Sequence, residues 1–594
     1  MRIKLKENLV IIGKVIQLMY KASSKSMIII LILNIIAGCI VPVNLILWKI
    51  LLDSIVTSVE TKVLMITLGV LFIHNATQIV VSIIDKICAF FKEMHVDYVN
   101  KYISELILTK IEDMELSNFD DPDTYNKISK INNEAISKSM HIINSVIALI
   151  KNVISLVGLV AILLTYNPIM VIIPFIVFIP ILATNLKIAL RLHDLHTQRI
   201  EKLRLVETLK CLNIKYENIK EIKIYNVGNY LKKMIINIYQ EYINEDKIIR
   251  KQHLLFHICS DSIEYIASFG LKFWILYDGI KKVFSAGDIV MYINTVDSIL
   301  VGIGNMLITA SNMYNDNLYL QTLFEFLDTD FVTESKLKKK FSPDFQIITF
   351  ENVYFKYPKS KEYILKNINL QIEAKKSYLL VGLNGSGKTT LIKLLARLYK
   401  PTKGRILIDG IDIEEYNINS YRKCIGIVFQ DYIKYPMSIE ENIKFGNCED
   451  IKNNKKMETA AIDAGISSFI SNLSKGYKTQ LQNEWFDGIE LSIGQWQKIA
   501  ISRAYFSDSP ILIMDEPAAS LDAIAEDELY NNVINLMQSK TCFMISHRFT
   551  TAKIVDQIFV LKDNAICESG TYQELMEIGG IFAQLFSVQA KKYI

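Results

Sequence analysis

Apolar residues are distributed in two different ways along this 594-residue chain. Before about residue 315 they gather into runs long enough to cross a hydrocarbon layer, which takes about 20 helical residues. Beyond that point they come in short bursts of strand length, separated by glycines and charged turns. In the first part, spans can be drawn over 27–52, 62–91, 139–165, 168–187, 254–278 and 287–311. The stretches 92–138 and 188–253 are polar, keep helical spacing and lack Gly/Pro breakers over most of their length, so they are predicted to carry the spans on as helices beyond the bilayer. The connections at 53–61, 166–168 and 279–286 are short and poor in basic residues, whereas Arg2, Lys4, Lys6, Lys14, Lys21 and Lys25 precede the first span. That asymmetry puts the N-terminus and the long extensions on the cytoplasmic side. No small-residue cleavage pattern follows a short apolar core, so the start of the chain is expected to be a cytoplasmic lead-in.

Composition agrees with a membrane part joined to a soluble one. The chain is 51% hydrophobic with a mean hydropathy of +0.25, and it is longer than one core usually supports. Its 66 basic and 62 acidic residues leave a net charge of +4, which offers nucleic acid no bulk attraction. The eight cysteines form no CxxC pair and have no clustered histidines, so neither a zinc site nor a disulfide framework is expected, and a reducing cytosol suits the soluble part. No internal repeat or low-complexity tract is visible.

Chemistry concentrates in the second part. Gly382-Leu383-Asn384-Gly385-Ser386-Gly387-Lys388-Thr389 fits the P-loop pattern G-x-x-x-x-G-K-[ST]. The apolar Tyr378–Val381 precedes it and a helical run from Thr390 to Tyr399 follows, the strand–loop–helix setting that a P-loop needs. Its backbone N–H groups close around phosphates, Lys388 reaches the outer phosphates, and the Thr389 hydroxyl serves Mg²⁺. Kinases and GTPases share such a loop. Further on, Ile511–Met514 forms an apolar strand that delivers Asp515 and Glu516, followed by Pro517, to the edge where phosphates bind. Asp515 suits Mg²⁺, and Glu516 suits polarising a water for in-line attack.

Between these two segments, Leu491-Ser492-Ile493-Gly494-Gln495 resembles the signature of the ABC ATPases. Nearly the whole chain resembles an ABC exporter half-transporter: an α-helical six-span transmembrane domain with cytoplasmic extensions (1–327), a linker (328–344) and an α/β P-loop nucleotide-binding domain (345–594). The resemblance implies that Tyr357, in Phe355-Lys356-Tyr357-Pro358, stacks on adenine, and that Gln430, in Ile427-Val428-Phe429-Gln430, ligates Mg²⁺ or the attacking water. Asp522, in Ser520-Leu521-Asp522, matches the D-loop, and His547, after Phe543–Ser546, matches the histidine that contacts the γ-phosphate. Thr390 joins Gly382–Thr389 in the ATP cradle. Ser492, Gly494 and Gln495 would complete the site of an opposing ATPase domain, and since this chain has one such domain, a second copy in a two-fold dimer is expected, with a heterodimer as the alternative.

Asn118–Tyr125 and Lys220–Gly228 resemble the short helices that couple exporter membrane domains to their ATPase. Two features depart from the commonest pattern: Ile493 stands where glycine is usual, and Gln482–Gly488 replaces a Gly-Glu-Arg-Gly type of segment. Together with Gly494-Gln495-Trp496-Gln497-Lys498, this variant resembles exporters of ribosomally made modified peptides such as lantibiotics. Trp485 and Phe486, with Tyr225, are either anchors at the membrane-domain/ATPase interface or, for Trp485, packing within the ATPase itself.

Polar stripes mark the spans: His257, Asp261, Glu264, Ser268 and Lys272; His74, Gln78, Ser82 and Asp85; Asn294, Ser298, Asn305, Thr309 and Asn312. Such stripes face a bundle interior or a wet cavity, because lipid exposure is costly. Asp85, Asp261, Glu264 and Asp297 outnumber Lys86 and Lys272, which suits a wet cavity for a large polar or cationic cargo; the alternative is that Asp85, Asp261 and Glu264 lie at the inner membrane boundary and are solvated there. Residues 1–26 hold neither Cys nor His for a thiol protease, so any leader on a peptide cargo is expected to be removed by a separate enzyme. Export of drugs or lipids, import by the same fold, and a membrane-anchored ATPase scaffold for peptide maturation are the competing readings.

Overall fold

A computed structural model of the chain describes residues 2–131, 136–282, 284–329, 331, 339–517, 539–546 and 549–590. The chain divides into two compact units, Met1–Asp113 with Tyr125–Asp330, and Met114–Thr124 with Phe331–Ile594.

The first unit is helical because, in hydrocarbon, each backbone N–H and C=O must find its partner within its own segment. Its helices are α1 (Arg2–Ala22), α2 (Ser24–Thr61) and α3 (Met65–Glu112). After the short α4 (Leu116–Phe119), which belongs to the second unit, and α5 (Pro122–Lys130), which begins in it, come α6 (Ile136–Tyr166), α7 (Ile169–Ile214), α8 (Tyr216–Ile224), α9 (Gly228–Lys282) and α10 (Ala286–Asp328). Among the described residues, Ser24–Thr61, Met65–Glu112, Lys138–Tyr166 and Ala286–Met313 are long and apolar enough to cross a membrane, and Ile169–Pro180 is a shorter apolar helix. α9 is less apolar because Asp261, Glu264 and Lys272 lie within it.

The second span starts at Met65 rather than at residue 62, since Lys62, at φ 56, ends α2 in the left-handed region. α3 and α9 are 48 and 55 residues long. At 1.5 Å per residue each is about 70–80 Å, more than twice the hydrocarbon thickness. Among the described residues, each polar extension is mainly helical, and its helix is interrupted on both sides of a short helix, α4 in the first and α8 in the second, within the segments that resemble coupling helices.

Close approach sets the crossing of α2 and α6. A Cβ on Gly158 would stand 2.5 Å from Pro42 Cγ, so a side chain there would push the helices apart. Leu163, Met170, Ile275 and Val296 bury the junction of α6, α7, α9 and α10. At the end of α2, Asp53 accepts hydrogen bonds from the Gly287 N–H (2.9 Å) and the Ser285 hydroxyl (3.1 Å), while Lys49 pairs with Asp288 at 2.6 Å. The start of α10 is thus capped by its own Ser285/Asp288 box and by a carboxylate from α2.

The second unit contains two sheets. β1 (Ile347–Phe355), β2 (Leu365–Glu373), β4 (Lys403–Ile408) and β5 (Ile411–Asp412) form an antiparallel sheet in the order β2-β1-β4-β5. The larger sheet runs β10-β9-β3-β8-β7-β6, with β3 (Ser377–Gly382), β6 (Ile425–Val428), β7 (Ile511–Asp515), β8 (Thr541–Ile545), β9 (Gln557–Lys562) and β10 (Ala565–Gly570). β6, β7, β8, β3 and β9 are parallel, and β7 and β8 are buried at every residue, which is why they read as unbroken apolar runs.

α11 (Lys388–Leu395) follows β3 and stops short of the expected Tyr399, because the chain turns through Arg397 at φ 53. α12 (Ile418–Arg422) precedes β6, and α13 (Ile439–Lys444), α14 (Asn454–Asp463), α15 (Ser467–Ser471) and α16 (Ile493–Ser507) form a helical layer around Trp496 and Ile499. Phe341, within the expected linker, is buried against Tyr416 and Tyr421, with ring centroids at 5.3 and 5.1 Å.

Arg503 ties α16 to the segment after β6. Its guanidinium donates to the Asn442 carbonyl (3.0 Å), the Ile433 carbonyl (3.2 Å) and Asn442 Oδ1 (3.2 Å), and lies 4.7 Å from the Tyr435 ring. Hydrogen bonds to a charged group contribute about 1.5–3 kcal/mol. Arg503→Ala is expected to lower the unfolding midpoint and to speed amide exchange across 433–442, measured by thermal melts and hydrogen exchange on the purified chain.

Candidate functional site

The parallel order β3-β8-β7-β6 brings the C-terminal ends of four strands to one edge, and several of the expected phosphate-facing segments leave from that edge. The P-loop leaves β3, Ser546 follows β8, Glu516 follows β7, and Gln430 lies two residues past β6. His547 and Asp522 lie outside the described residues.

Glycine is required where the loop is tightest. A Cβ on Gly382 would meet the Leu561 carbonyl and stand 2.8 Å from Ser386 Oγ, and Gly387 takes φ 103 at the start of α11. Lys388 is buried at 7% exposure, and its ammonium donates to the carbonyls of Gly382 (2.7 Å) and Leu383 (3.0 Å). Burial pushes its pKa down, against the raising influence of Glu516 and Asp515. Ser386 Oγ is buried with no hydrogen-bond partner among the described residues. Such an orphan costs free energy unless something outside the chain satisfies it, and a phosphate oxygen in the loop is a partner of the right chemistry.

Thr389 Oγ1 donates to Asp515 Oδ2 at 2.9 Å, joining α11 to the end of β7. Asp515 is 2% exposed, and burial raises its pKa, with Glu516 adding to the rise and the Thr389 bond and Lys388 opposing it. These hard oxygen donors fit a magnesium ion. Glu516 sits at φ 52, a left-handed conformation costing a non-glycine residue about 1–3 kcal/mol. Its N–H bonds the Ile545 carbonyl (3.0 Å), Gln497 Nε2 donates to its carbonyl (3.3 Å), and Gln430 Nε2 donates to its carboxylate (3.4 Å). Gln497 supports the Glu516 turn from α16; in the sequence it is one more polar residue of a helix.

Tyr357 makes a 3.1 Å hydroxyl contact with Thr390 Oγ1 on α11, and its ring meets Phe355 and Tyr399 edge-on at 5.1 and 5.4 Å. The signature residues Ser492 and Gln495 form a capping box at the start of α16: Ser492 Oγ accepts from Gln495 N (3.2 Å), and Gln495 Oε1 accepts from Ser492 N (2.9 Å). Ile493, in the helix's first turn, is 63% exposed, and Gly494 follows it. Tyr432, just past Gln430, donates to the Ile493 carbonyl at 3.0 Å. Trp485 and Phe486 are 53% and 93% exposed, so Trp485 is not interior packing of the ATPase unit.

In the membrane unit the acidic surplus is smaller than the stripes imply. Lys272 pairs with Asp297 at 2.6 Å, and Lys151, outside the polar stripes, reaches Asp85 at 3.0 Å. Ion pairing thus neutralises two of the four carboxylates, and among the described residues no ion pair is made by Asp261 or Glu264.

Comparison with known proteins agrees with this architecture. The pattern described as "ABC transporter" matches residues 365–519, and the one described as "ABC transporter transmembrane region" matches residues 27–302. The subtilin transport ATP-binding protein SpaT of Bacillus subtilis is 31% identical over 93% of this chain and 90% of its own length. The nisin transport ATP-binding protein NisT of Lactococcus lactis subsp. lactis is 27% identical over 96% and 95%. A solved bacterial Atm1-family ABC exporter with ATP bound superposes with a TM-score of 0.83 at 20% identity, covering 96% of this chain and 98% of that one, and so shares its fold.

Ser386→Ala removes a hydroxyl that has no partner within the described protein. The free protein is expected to melt unchanged while ATP affinity falls severalfold, about 1 kcal/mol; calorimetry and nucleotide titration of the same preparation measure both.

Proposed function

The chain belongs to the ABC transporter family, and on that premise we propose that it exports a ribosomally made, modified peptide as a dimer of two identical chains. It is a membrane ABC exporter with a cytoplasmic ATPase domain that hydrolyses ATP to drive transport. The observation that carries the peptide reading is whole-length similarity to two proteins named for transport of subtilin and of nisin. The variant segment Gln482–Gly488 and the residual acidic pair Asp261 and Glu264 support it.

In the ATPase, Gly382–Thr390 cradle the phosphates, Lys388 neutralises their charge, and Tyr357 stacks on adenine. Thr389, Asp515 and Gln430 would hold Mg²⁺, which would supply positive charge against the phosphates. Glu516 takes the proton of the attacking water, and His547 contacts the γ-phosphate. Ser492, Gly494, Gln495 and Asp522 act on the partner copy's nucleotide, with the start of α16 facing its phosphates. ATP-dependent uptake of a leader-bearing modified peptide into inverted vesicles tests the reading. Accumulation supports export, and ATP hydrolysis without accumulation supports the scaffold reading instead.

Two variants separate chemistry from coupling. Glu516→Gln is expected to keep ATP binding, lose nearly all turnover and trap a closed dimer, because the base goes while the cradle stays; fast multiple turnover would remove Glu516 from that role. Trp485→Ala is expected to leave melting and basal ATPase intact while uncoupling hydrolysis from transport, since truncating an aromatic anchor often costs about 2 kcal/mol at an interface. Unchanged transport per ATP hydrolysed would refute the coupling role.

A further inference from the structure

The polar face of α9 opens with two histidines one turn apart, in His253-Leu254-Leu255-Phe256-His257. Neither belongs to the ATP site. Residues four apart on a helix lie one above the other, and two histidines so spaced are the pair that an H-E-x-x-H helix offers to zinc. Both side chains are half-buried, their ring centroids stand 4.3 Å apart at 79°, and the two Nε2 atoms face each other at 2.9 Å. The turn is tied to α7 by Arg191, whose guanidinium donates to Gln252 Oε1 at 3.2 Å. A hydrogen bond between two ring nitrogens uses one N–H and one lone pair, so one lone pair is already turned inward and the other is a tautomer shift away.

Metal–imidazole bonds are about 2.0–2.1 Å long, and two of them drawn to nitrogens 2.9 Å apart meet at about 90°. That is the cis angle of a tetragonal or octahedral ion such as Ni²⁺, and widening the gap by about 0.4 Å gives the tetrahedral angle of Zn²⁺. We propose that His253 and His257 bind one divalent transition-metal ion of this imidazole-preferring class. As the ion enters, the donor ring's proton leaves Nε2 and is replaced by one on Nδ1 through water, so both Nε2 lone pairs bond to the ion and the protein's own charge is unchanged. Among the described residues, no group of three or more His, Cys, Asp or Glu side chains is placed to hold a metal, so the pair supplies two positions and the others are open to water or to a donor on the cargo. The ion's charge stands at the head of the face that carries Asp261 and Glu264.

The test uses the full-length chain, purified through a tag without histidine, and needs neither nucleotide nor cargo. Calorimetric titrations with Ni²⁺ and, separately, Zn²⁺ are expected to show a site that Mg²⁺, an oxygen-seeking ion, does not compete for. His253→Gln and His257→Gln are each expected to weaken that site by at least about tenfold, the least that loss of even an outer-shell partner costs. Melting of the metal-free variants is expected to match the parent. His257→Cys, which returns a zinc-binding side chain to the same turn, is expected to restore Zn²⁺ binding that the glutamine lacks, a comparison that holds even if a variant melts lower. A parent chain that takes up neither ion, binding that survives both glutamine variants at the parent affinity, or a cysteine variant no better than the glutamine would overturn the proposal and leave the pair as a hydrogen bond alone.

Discussion

The 2.9 Å hydrogen bond from Thr389 to Asp515 is the constraint on which the cytoplasmic machinery depends. It forms only if β3 and β7 end at the same height with β8 between them, so the parallel register of three strands is a condition for one contact. That register is set by apolar burial: every residue of β7 and β8 is inaccessible. A buried carboxylate is costly unless partnered, and the Thr389 hydroxyl and the Lys388 ammonium supply the opposing charge and donor. Hydrophobic packing thus creates a site with an acid poised beside a phosphate loop, and the left-handed turn at Glu516 stores local strain there.

In the membrane unit the governing constraint is the absence of water, which forces long unbroken helices and confines charge to pairs. Lys272–Asp297 and Lys151–Asp85 meet that demand across helix boundaries. The ring of contacts from Asp53 and Lys49 to the start of α10 does the same at the opposite end from the cytoplasmic extensions. Among the described residues, the buried polar atoms without a partner include His74 Nδ1, His95 Nε2 and Asn100 Oδ1 in one unit and Ser386 Oγ and Tyr505 Oη in the other, and of these Ser386 lies in the phosphate loop.

What was legible in the sequence was local. The P-loop, the Asp515-Glu516 pair and the Ser492–Gln495 box each lie in a few contiguous residues, and strand-to-loop chemistry dictates their order. The helix breaks were placed less well: Lys62 and Arg397 adopt positive φ although neither is glycine, so no residue type announces where α2 or α11 ends. Pairings across the chain were not legible at all. Lys151 is 66 positions from Asp85, and Tyr399 is 279 from Asp120, and nothing in either neighbourhood names its partner. The charge of the membrane stripe was overestimated for this reason. Trp485 had two readings from sequence because an aromatic residue suits a core and an interface equally; its 53% exposure excludes the core.

The account stands on the composite site, in which Ser492 and Gly494 of one copy act on the nucleotide held by Lys388 and Glu516 of the other. Reconstituting the protein into nanodiscs holding one chain or two, with occupancy verified, and measuring ATP hydrolysis per chain tests this most directly. The account predicts turnover in two-chain discs and essentially none in one-chain discs, whereas a verified single chain hydrolysing ATP at the full rate would contradict it.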